Sequence, residues 1–101
     1  MTTLTADNFI KCDNSILLRQ IGMMNVLAVS GGRVTQRETG VTLPVARGYS
    51  VTIDLHVSDT YTVRRIFKRG ATETVKGEAT YVYVDQLAET VYRASCYLER
   101  F

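Results

Sequence analysis

A strict alternation of apolar and polar residues in the middle of the chain constrains the fold more than any other feature. Between Tyr49 and Val57 every odd-numbered residue is apolar and every even-numbered residue is polar. This period of two is typical of a β-strand that has one face on a core and the other in water. A polar break at 58–59 and a second extended segment ending at Gly70 follow directly. The pattern predicts an antiparallel hairpin at the centre of a sheet.

The register of this hairpin follows from its loop length. A three-residue loop at 58–60 brings the apolar faces of the two strands together, whereas a two-residue loop opposes apolar to polar residues. The same register predicts that Asp54 pairs across the strands with Arg64. It also places Arg65 on the core side beside Ile53, where its charge needs to reach the sheet margin or a carboxylate.

One helix is predicted near each end of the chain. The run from Asp13 to Ser15 offers three N-cap residues and Gly22 offers a stop, so we expect a short helix over about 13–21. Its core-facing residues are Leu17, Leu18 and Ile21. Toward the C-terminus, apolar residues recur at steps of three and four, which predicts a longer helix. Its apolar stripe is Val84, Leu87, Val91, Ala94 and Leu98.

The remaining elements are predicted as strands and turns. Val26–Val29 is a compact apolar run suited to a buried strand, and the turn residues 30–32 follow it. Segments 33–36 and 41–45 predict a further hairpin, in which the only proline, Pro44, favours an edge position or a bend.

A last extended segment is expected over 72–75 and 79–81. We expect an α+β two-layer sandwich, with a short N-terminal helix, an antiparallel sheet of four or five strands, and a long C-terminal helix on the same face.

The length of 101 residues predicts a single α+β domain over 1–101, in which 1–12 carries no predicted element and is expected to be poorly ordered. No apolar run approaches a membrane span, and the first ten residues lack the features of a secretion signal. We therefore expect a cytoplasmic protein with no membrane partner. Cys12 and Cys96 fit no metal or redox spacing, so both are predicted to be free thiols.

Residues that carry chemistry are scarce in the sequence. His56 is the only histidine and falls on the polar side of a strand, without a nucleophile at a motif spacing. Ser30-Gly31-Gly32 lacks the helix and glycine pattern of a phosphate loop, so a turn is the preferred interpretation. The sequence therefore predicts no catalytic residue, no metal site and no cofactor, and we expect a protein that is not an enzyme.

Two groups of residues are candidates for binding a partner. The first is a basic group on the second central strand, which suits nucleic-acid phosphates or an acidic protein surface, or else protects an edge strand. It contains Arg64, Arg65, Lys68 and Arg69. The second is a group of tyrosines near the last helix, which suits a partner surface or homodimer face, or else wraps the helix edges onto the sheet. It contains Tyr81, Tyr83, Tyr92 and Tyr97.

Three stretches, in matching order, resemble a loose group of small proteins encoded by phages and prophages. They are ILLRQIGMMNVLAVSGG from Ile16 to Gly32, DTYTV from Asp59 to Val63, and YVDQLAE from Tyr83 to Glu89. The resemblance implies a bacterial cytoplasm during infection or lysogeny, and it supplies no site residues. It implies an accessory protein that binds a host or phage protein, such as an anti-CRISPR-like inhibitor of host defence. The alternatives are a nucleic-acid-binding module and a homodimeric structural component.

Overall fold

The computed structural model describes residues 9–96 of the chain. These residues form three helices and one five-stranded antiparallel sheet, which confirms the predicted α+β fold. In chain order the elements are α1 Asn14–Ile21, α2 Met23–Ser30, β1 Thr35–Gln36, β2 Gly40–Pro44, β3 Tyr49–Leu55, β4 Tyr61–Arg69, β5 Thr72–Val82 and α3 Val84–Ser95.

The strands lie in the sheet in the order in which they occur in the chain, and each pairs antiparallel with the next. The helices pack on one face, where α3 contacts β3, β4 and β5, and α1 and α2 contact β2. The other face, on which Thr42, Thr52 and Arg64 lie side by side, is termed the outer face. The core between the two layers includes Leu17, Ile21, Val26, Val29, Val41, Leu43, Val51, Ile53, Val63, Leu87, Val91 and Ala94.

Asp13 begins α1, as the sequence predicts. Its carboxylate accepts hydrogen bonds from the Ser15 hydroxyl at 2.7 Å and from the backbone N–H groups of Ser15 and Ile16. These bonds lower the pKa of Asp13 because they favour its ionised form. Leu17 and Ile21 are buried, so α1 packs on the core with the side that the sequence predicts.

The buried strand expected at Val26–Val29 is wrong, because this run belongs to helix α2. Its two valines face the core while Leu27 between them is exposed, which is a helical spacing. A short apolar run fits a strand and a helix equally well by periodicity alone. The turn expected after it is confirmed, since Gly31 takes the left-handed conformation at φ 66° and ends α2.

The hairpin between β3 and β4 has the predicted three-residue loop, displaced by one residue. The His56 N–H donates to the Thr60 carbonyl oxygen at 2.7 Å, so the loop is 57–59 rather than 58–60. Asp59 stands at the third loop position with φ 68°, the left-handed conformation that this loop type requires there and that aspartate tolerates. The apolar faces still coincide, because the register moves by two residues.

Cross-strand partners therefore differ from the prediction. Thr52 rather than Asp54 opposes Arg64, and Val51 opposes Arg65. The edge strand expected at Pro44 is wrong, because β2 lies between β1 and β3 in the sheet. The proline is tolerated because the two-residue β1 pairs only with Val41 and Thr42, so Pro44 has a strand partner on the β3 side alone.

Residues 9–12, for which the sequence predicts no element, lie against the end of the sheet. Phe9 forms a β-bridge with His56, and the Cys12 N–H donates to the Glu38 carbonyl oxygen at 2.9 Å. This path brings the Phe9 ring beside the guanidinium of Arg64 on the outer face.

Candidate functional site

Arg65, one of the four cations of the basic group, is buried on the core face and is 5% exposed. Its guanidinium donates to three carbonyl oxygens at the end of α3, those of Ala94 at 2.7 Å, Cys96 at 2.9 Å and Arg93 at 3.2 Å. Carbonyls at a helix C-terminus carry partial negative charge and lack partners within the helix. These carbonyl oxygens stabilise the buried charge, and Arg65 is corrected from a surface candidate to a structural residue.

Arg64 lies on the outer face and forms an ion pair with Glu78 of β5, with 2.6 Å between Nε and Oε2. Asp54, its predicted partner, is bound by Arg37 instead, with 2.7 Å between Nη1 and Oδ1. The Thr39 hydroxyl donates to the same carboxylate oxygen at 2.7 Å. The predicted pair of Asp54 and Arg64 is therefore wrong, since the displaced loop moves the two residues out of register.

Lys68 and Arg69 are both exposed at the end of β4. Lys68 shares the outer face with Arg64, and each of them stands opposite a glutamate of β5, Glu73 and Glu78 respectively. Arg69 points to the other face. The fold thus divides the basic group. Among residues 9–96, the outer face lacks the one-sided positive charge that is typical of nucleic-acid-binding domains.

A cleft of about 230 Å³ opens on the outer face beside Phe9 and is termed the aromatic cleft. The rings of Phe9, His56 and Tyr81 line it. The His56 ring centroid lies 6.3 Å from that of Phe9 and 5.6 Å from that of Tyr81, both in edge-to-face geometry. The guanidinium carbon of Arg64 lies 5.2 Å from the Phe9 centroid, and Glu78 completes the wall. Two residues of the predicted binding groups, Arg64 and Tyr81, therefore meet here.

The tautomer of the neutral His56 ring is assigned from a hydrogen bond to its Nδ1. The Ser58 N–H donates to His56 Nδ1 at 3.1 Å, so the neutral ring carries its proton on Nε2.

Cys12 and Cys96 are both free, as predicted. Within 9–96, no group of three or more His, Cys, Asp or Glu side chains has an arrangement that would hold a metal ion. In the same range, no helix has the length and apolar content to cross a membrane.

Exposed apolar side chains form a second candidate site on the helices. On α2, Met23 is 67% exposed, Met24 79% and Leu27 47%. On α3, Val84 and Tyr92 are each half exposed, which corrects the prediction that Val84 faces the core. These five residues are termed the helical surface.

One hydrogen bond ties together the two helices that carry the helical surface. The side-chain amide of Asn25 donates to the Ala88 carbonyl oxygen at 2.7 Å and ties the start of α2 to the middle of α3. Val84, Ala88 and Tyr92 follow each other at a spacing of four and share one side of α3. Asn25 therefore marks the side of α2 that faces α3, and the exposed Met24 lies about 100° around the helix from it.

The two remaining tyrosine candidates are Tyr83 and Tyr97. Tyr83 is the N-cap residue of α3 and is exposed, and Tyr97 lies outside the described residues. Sequence reasoning missed Met23 and Met24 because the run that contains them was interpreted partly as a strand. The available signal was that apolar residues cover most of the circumference of α2, although a helix on a single sheet face can bury only one side. Phe9 was missed because no periodic pattern surrounds it.

No protein-family model matches the sequence, and neither a curated protein nor a solved structure matches it. A function for this chain is therefore inferred from its residues and their geometry.

Proposed function

We propose that this chain is a small non-enzymatic phage accessory protein that binds a host or phage protein through its helical surface. The observation that carries the proposal is the exposure of Met23, Met24 and Leu27 on a helix without a polar outer side. A surface helix ordinarily presents charged and polar residues to water. Flexible thioether side chains repack readily against another protein, and such surfaces are common on protein-binding modules.

The chemistry of the helical surface favours a protein partner over nucleic acid. Its five members are thioether, aliphatic and phenolic side chains, none of which neutralises a phosphate. Aromatic residues and methionine are enriched at protein interfaces. The basic group, on which a nucleic-acid function would depend, is divided between the core, the outer face and the end of β4.

The biological setting of the proposal rests on the sequence. The resemblance to phage-encoded proteins makes a host or phage protein the proposed partner and the bacterial cytoplasm the proposed place of action. Inhibition of a host defence complex, of which a CRISPR system is one, is the form of action that we favour. The non-enzymatic role rests on the lone His56 without a nucleophile motif.

Affinity capture from a bacterial lysate at physiological salt tests this proposal with two matched variants. Met24→Glu places a charge in the helical surface, whereas Val75→Glu places the same charge on the outer face at an apolar residue that is also exposed. We expect the wild type and Val75→Glu to retain the same stoichiometric partner and Met24→Glu to lose it. Recovery of no partner by the wild type, or equal recovery by Met24→Glu, would contradict the proposal.

Two further measurements separate the alternatives. A concentration-dependent mass in light scattering that Met24→Glu abolishes would assign the helical surface to a second copy of the chain. Titration with duplex and single-stranded nucleic acid at two salt concentrations should show no binding. A log–log salt slope of about 0.9 for each neutralised phosphate of duplex DNA would support the nucleic-acid alternative instead.

A further inference from the structure

The aromatic cleft lies on the outer face, on the opposite side of the sheet from the helical surface. Phe9 reaches it from the segment before α1, His56 from the hairpin loop, and Tyr81 from the end of β5. Three aromatic rings from three separate parts of the chain therefore converge around one opening. No core packing requires this arrangement, since the hydrophobic core is on the other side of the sheet.

Tyr81 is held in the cleft by an irregularity of the backbone. Between the pairs Tyr61–Val82 and Val63–Ala79, two residues of β5 oppose one residue of β4, which is a β-bulge. Tyr81 has φ 54° in this bulge, a conformation that is strained for an aromatic residue, and its side chain is 61% exposed. Bulges and left-handed non-glycine residues concentrate at functional sites, where they redirect a side chain.

Of the two charged side chains in the aromatic cleft, the carboxylate of Glu78 is the more exposed to solvent. Arg64 and Glu78 form an ion pair at its wall, but the Arg64 side chain is 16% exposed and the Glu78 side chain is 40% exposed. Arg64 is also covered by Phe9, whose ring centroid lies 5.2 Å from its guanidinium carbon. A carboxylate has about four acceptor sites, so one bond to Arg64 leaves Glu78 able to accept from a ligand.

We infer that the aromatic cleft binds the side chain of an arginine residue from a protein partner. A planar guanidinium stacks on an aromatic face and donates in a fork to a carboxylate, and the cleft supplies both groups in Tyr81 and Glu78. The volume of about 230 Å³ lies below the roughly 300–1,000 Å³ of pockets for larger ligands. It suits one long side chain. The contact between Arg64 and Phe9 is an example of the same chemistry inside the cleft wall.

Arginine fits the cleft better than the other candidate groups. Lysine carries a compact, strongly hydrated charge that gains less from a flat ring and does not donate in a fork. A nucleotide would bring phosphates toward the exposed carboxylate of Glu78. This inference rests on the proposed function only in taking the arginine from a protein partner.

The test is a two-dimensional NMR titration of the full chain with N-acetylarginine methylamide. The controls are the matched citrulline derivative, which has the same shape without the charge, the lysine derivative and adenosine monophosphate. We expect arginine to shift the signals of Phe9, His56 and Tyr81, and citrulline to bind about tenfold more weakly because it lacks the cation–π and ion-pair contacts.

Variants of the cleft make the result specific. Glu78→Gln keeps the side-chain shape and should weaken arginine binding by about tenfold. Tyr81→Ala should abolish the shifts, whereas Tyr83→Ala should leave them unchanged, since Tyr83 is equally exposed and does not line the cleft. Circular dichroism and thermal unfolding establish whether each variant is folded. If Tyr81→Ala does not fold, the result with Glu78→Gln decides the test.

Equal shifts with arginine and citrulline, shifts confined to other surfaces, or preferential binding of adenosine monophosphate would each overturn the inference. The probe needs no partner protein and the cleft is separate from the helical surface. Failure of this titration therefore leaves the capture experiment with Met24→Glu unaffected, and failure of that capture leaves the titration unaffected.

Discussion

The guanidinium Nε of Arg65 donates to the carbonyl oxygen of Ala94 at 2.7 Å and joins the middle of β4 to the end of α3. A cation in the core is stabilised here by carbonyl oxygens at a helix terminus, of which that of Arg93 also accepts from the Cys96 N–H. The same contact fixes the position of α3 on the sheet. It thereby sets where Val84 and Tyr92 of the helical surface stand.

Replacement of Arg65 by methionine should destabilise the fold. Arg65→Met removes the charged donor and leaves carbonyl oxygens at the end of α3 unpaired, so we expect the free energy of unfolding to fall by about 1.5–3 kcal/mol. Arg64→Met is the matched control on the outer face of the same strand, where the partner Glu78 is 40% exposed, and its effect should stay near or below about 1 kcal/mol. Urea unfolding of both variants measures the difference. Equal losses would contradict the structural role assigned to Arg65.

Two residues at the start of α3 should respond differently to truncation. Leu87 is fully buried, so Leu87→Ala should cost about 2–5 kcal/mol of unfolding free energy through lost contacts and a cavity. Val84 is half exposed, so Val84→Ala should lower the free energy of unfolding by much less, within about 1 kcal/mol. Thermal or urea unfolding distinguishes the two. A Val84→Ala variant as unstable as Leu87→Ala would show that α3 is rotated relative to the described packing.

The N-cap of α1 predicts a pH dependence of stability. Hydrogen bonds from the Ser15 hydroxyl, and then from the Ile16 N–H, lower the pKa of Asp13 below its ordinary value of 3.8. The stabilisation is therefore present above that value and is lost as the pH falls through the folded-state pKa. Asp13→Asn keeps the acceptor without titrating.

Melting temperatures of the wild type and Asp13→Asn, compared from neutral to acidic pH, check this prediction. The melting temperature of the wild type should fall more than that of the variant as the pH falls through and below 3.8, the ordinary pKa of an aspartate carboxyl. Parallel curves for the two proteins would mean that the cap does not titrate with folding.

The two free thiols should differ in reactivity. Burial, followed by the charges of Asp13 and Asp54, raises the pKa of the Cys12 thiol, which keeps it protonated and poorly nucleophilic. Cys96 is only partly buried. With an aromatic disulfide reagent under native conditions, we expect one fast and one slow thiol. Cys96→Ser should remove the fast phase and Cys12→Ser should retain it, whereas the reverse would contradict the packing of Cys12.

The sequence predicts those parts of the fold that depend on local pattern. Period-two alternation predicts β3 and β4, and apolar steps of three and four predict the buried side of α3 at Leu87 and Val91. The N-cap at Asp13 and the turn at Gly31 follow from residue type alone. In each case the information lies within a few neighbouring residues.

The sequence does not predict features that depend on distant contacts. The basic group falls within six residues of the chain, but strand alternation sends Arg65 to the core and Arg64 to the outer face, where its partner is Glu78. The loop closes at His56 because Asp59 takes the left-handed position, which no apolar pattern signals. The aromatic cleft likewise requires three segments to converge, and only the folded chain brings them together.

The most direct test of the central claim uses the methyl groups of Met23 and Met24 as probes. The wild type, Met24→Glu and Val75→Glu are each labelled at the methionine methyl groups. Each protein is titrated with the purified partner that the capture experiment yields, and binding is followed by NMR. We expect the Met23 and Met24 methyl signals to shift, Met24→Glu to raise Kd by about tenfold or more, and Val75→Glu to leave Kd unchanged. Unshifted methyl signals in a formed complex, or a Kd that Met24→Glu leaves unaltered, would contradict the assignment of function to the helical surface.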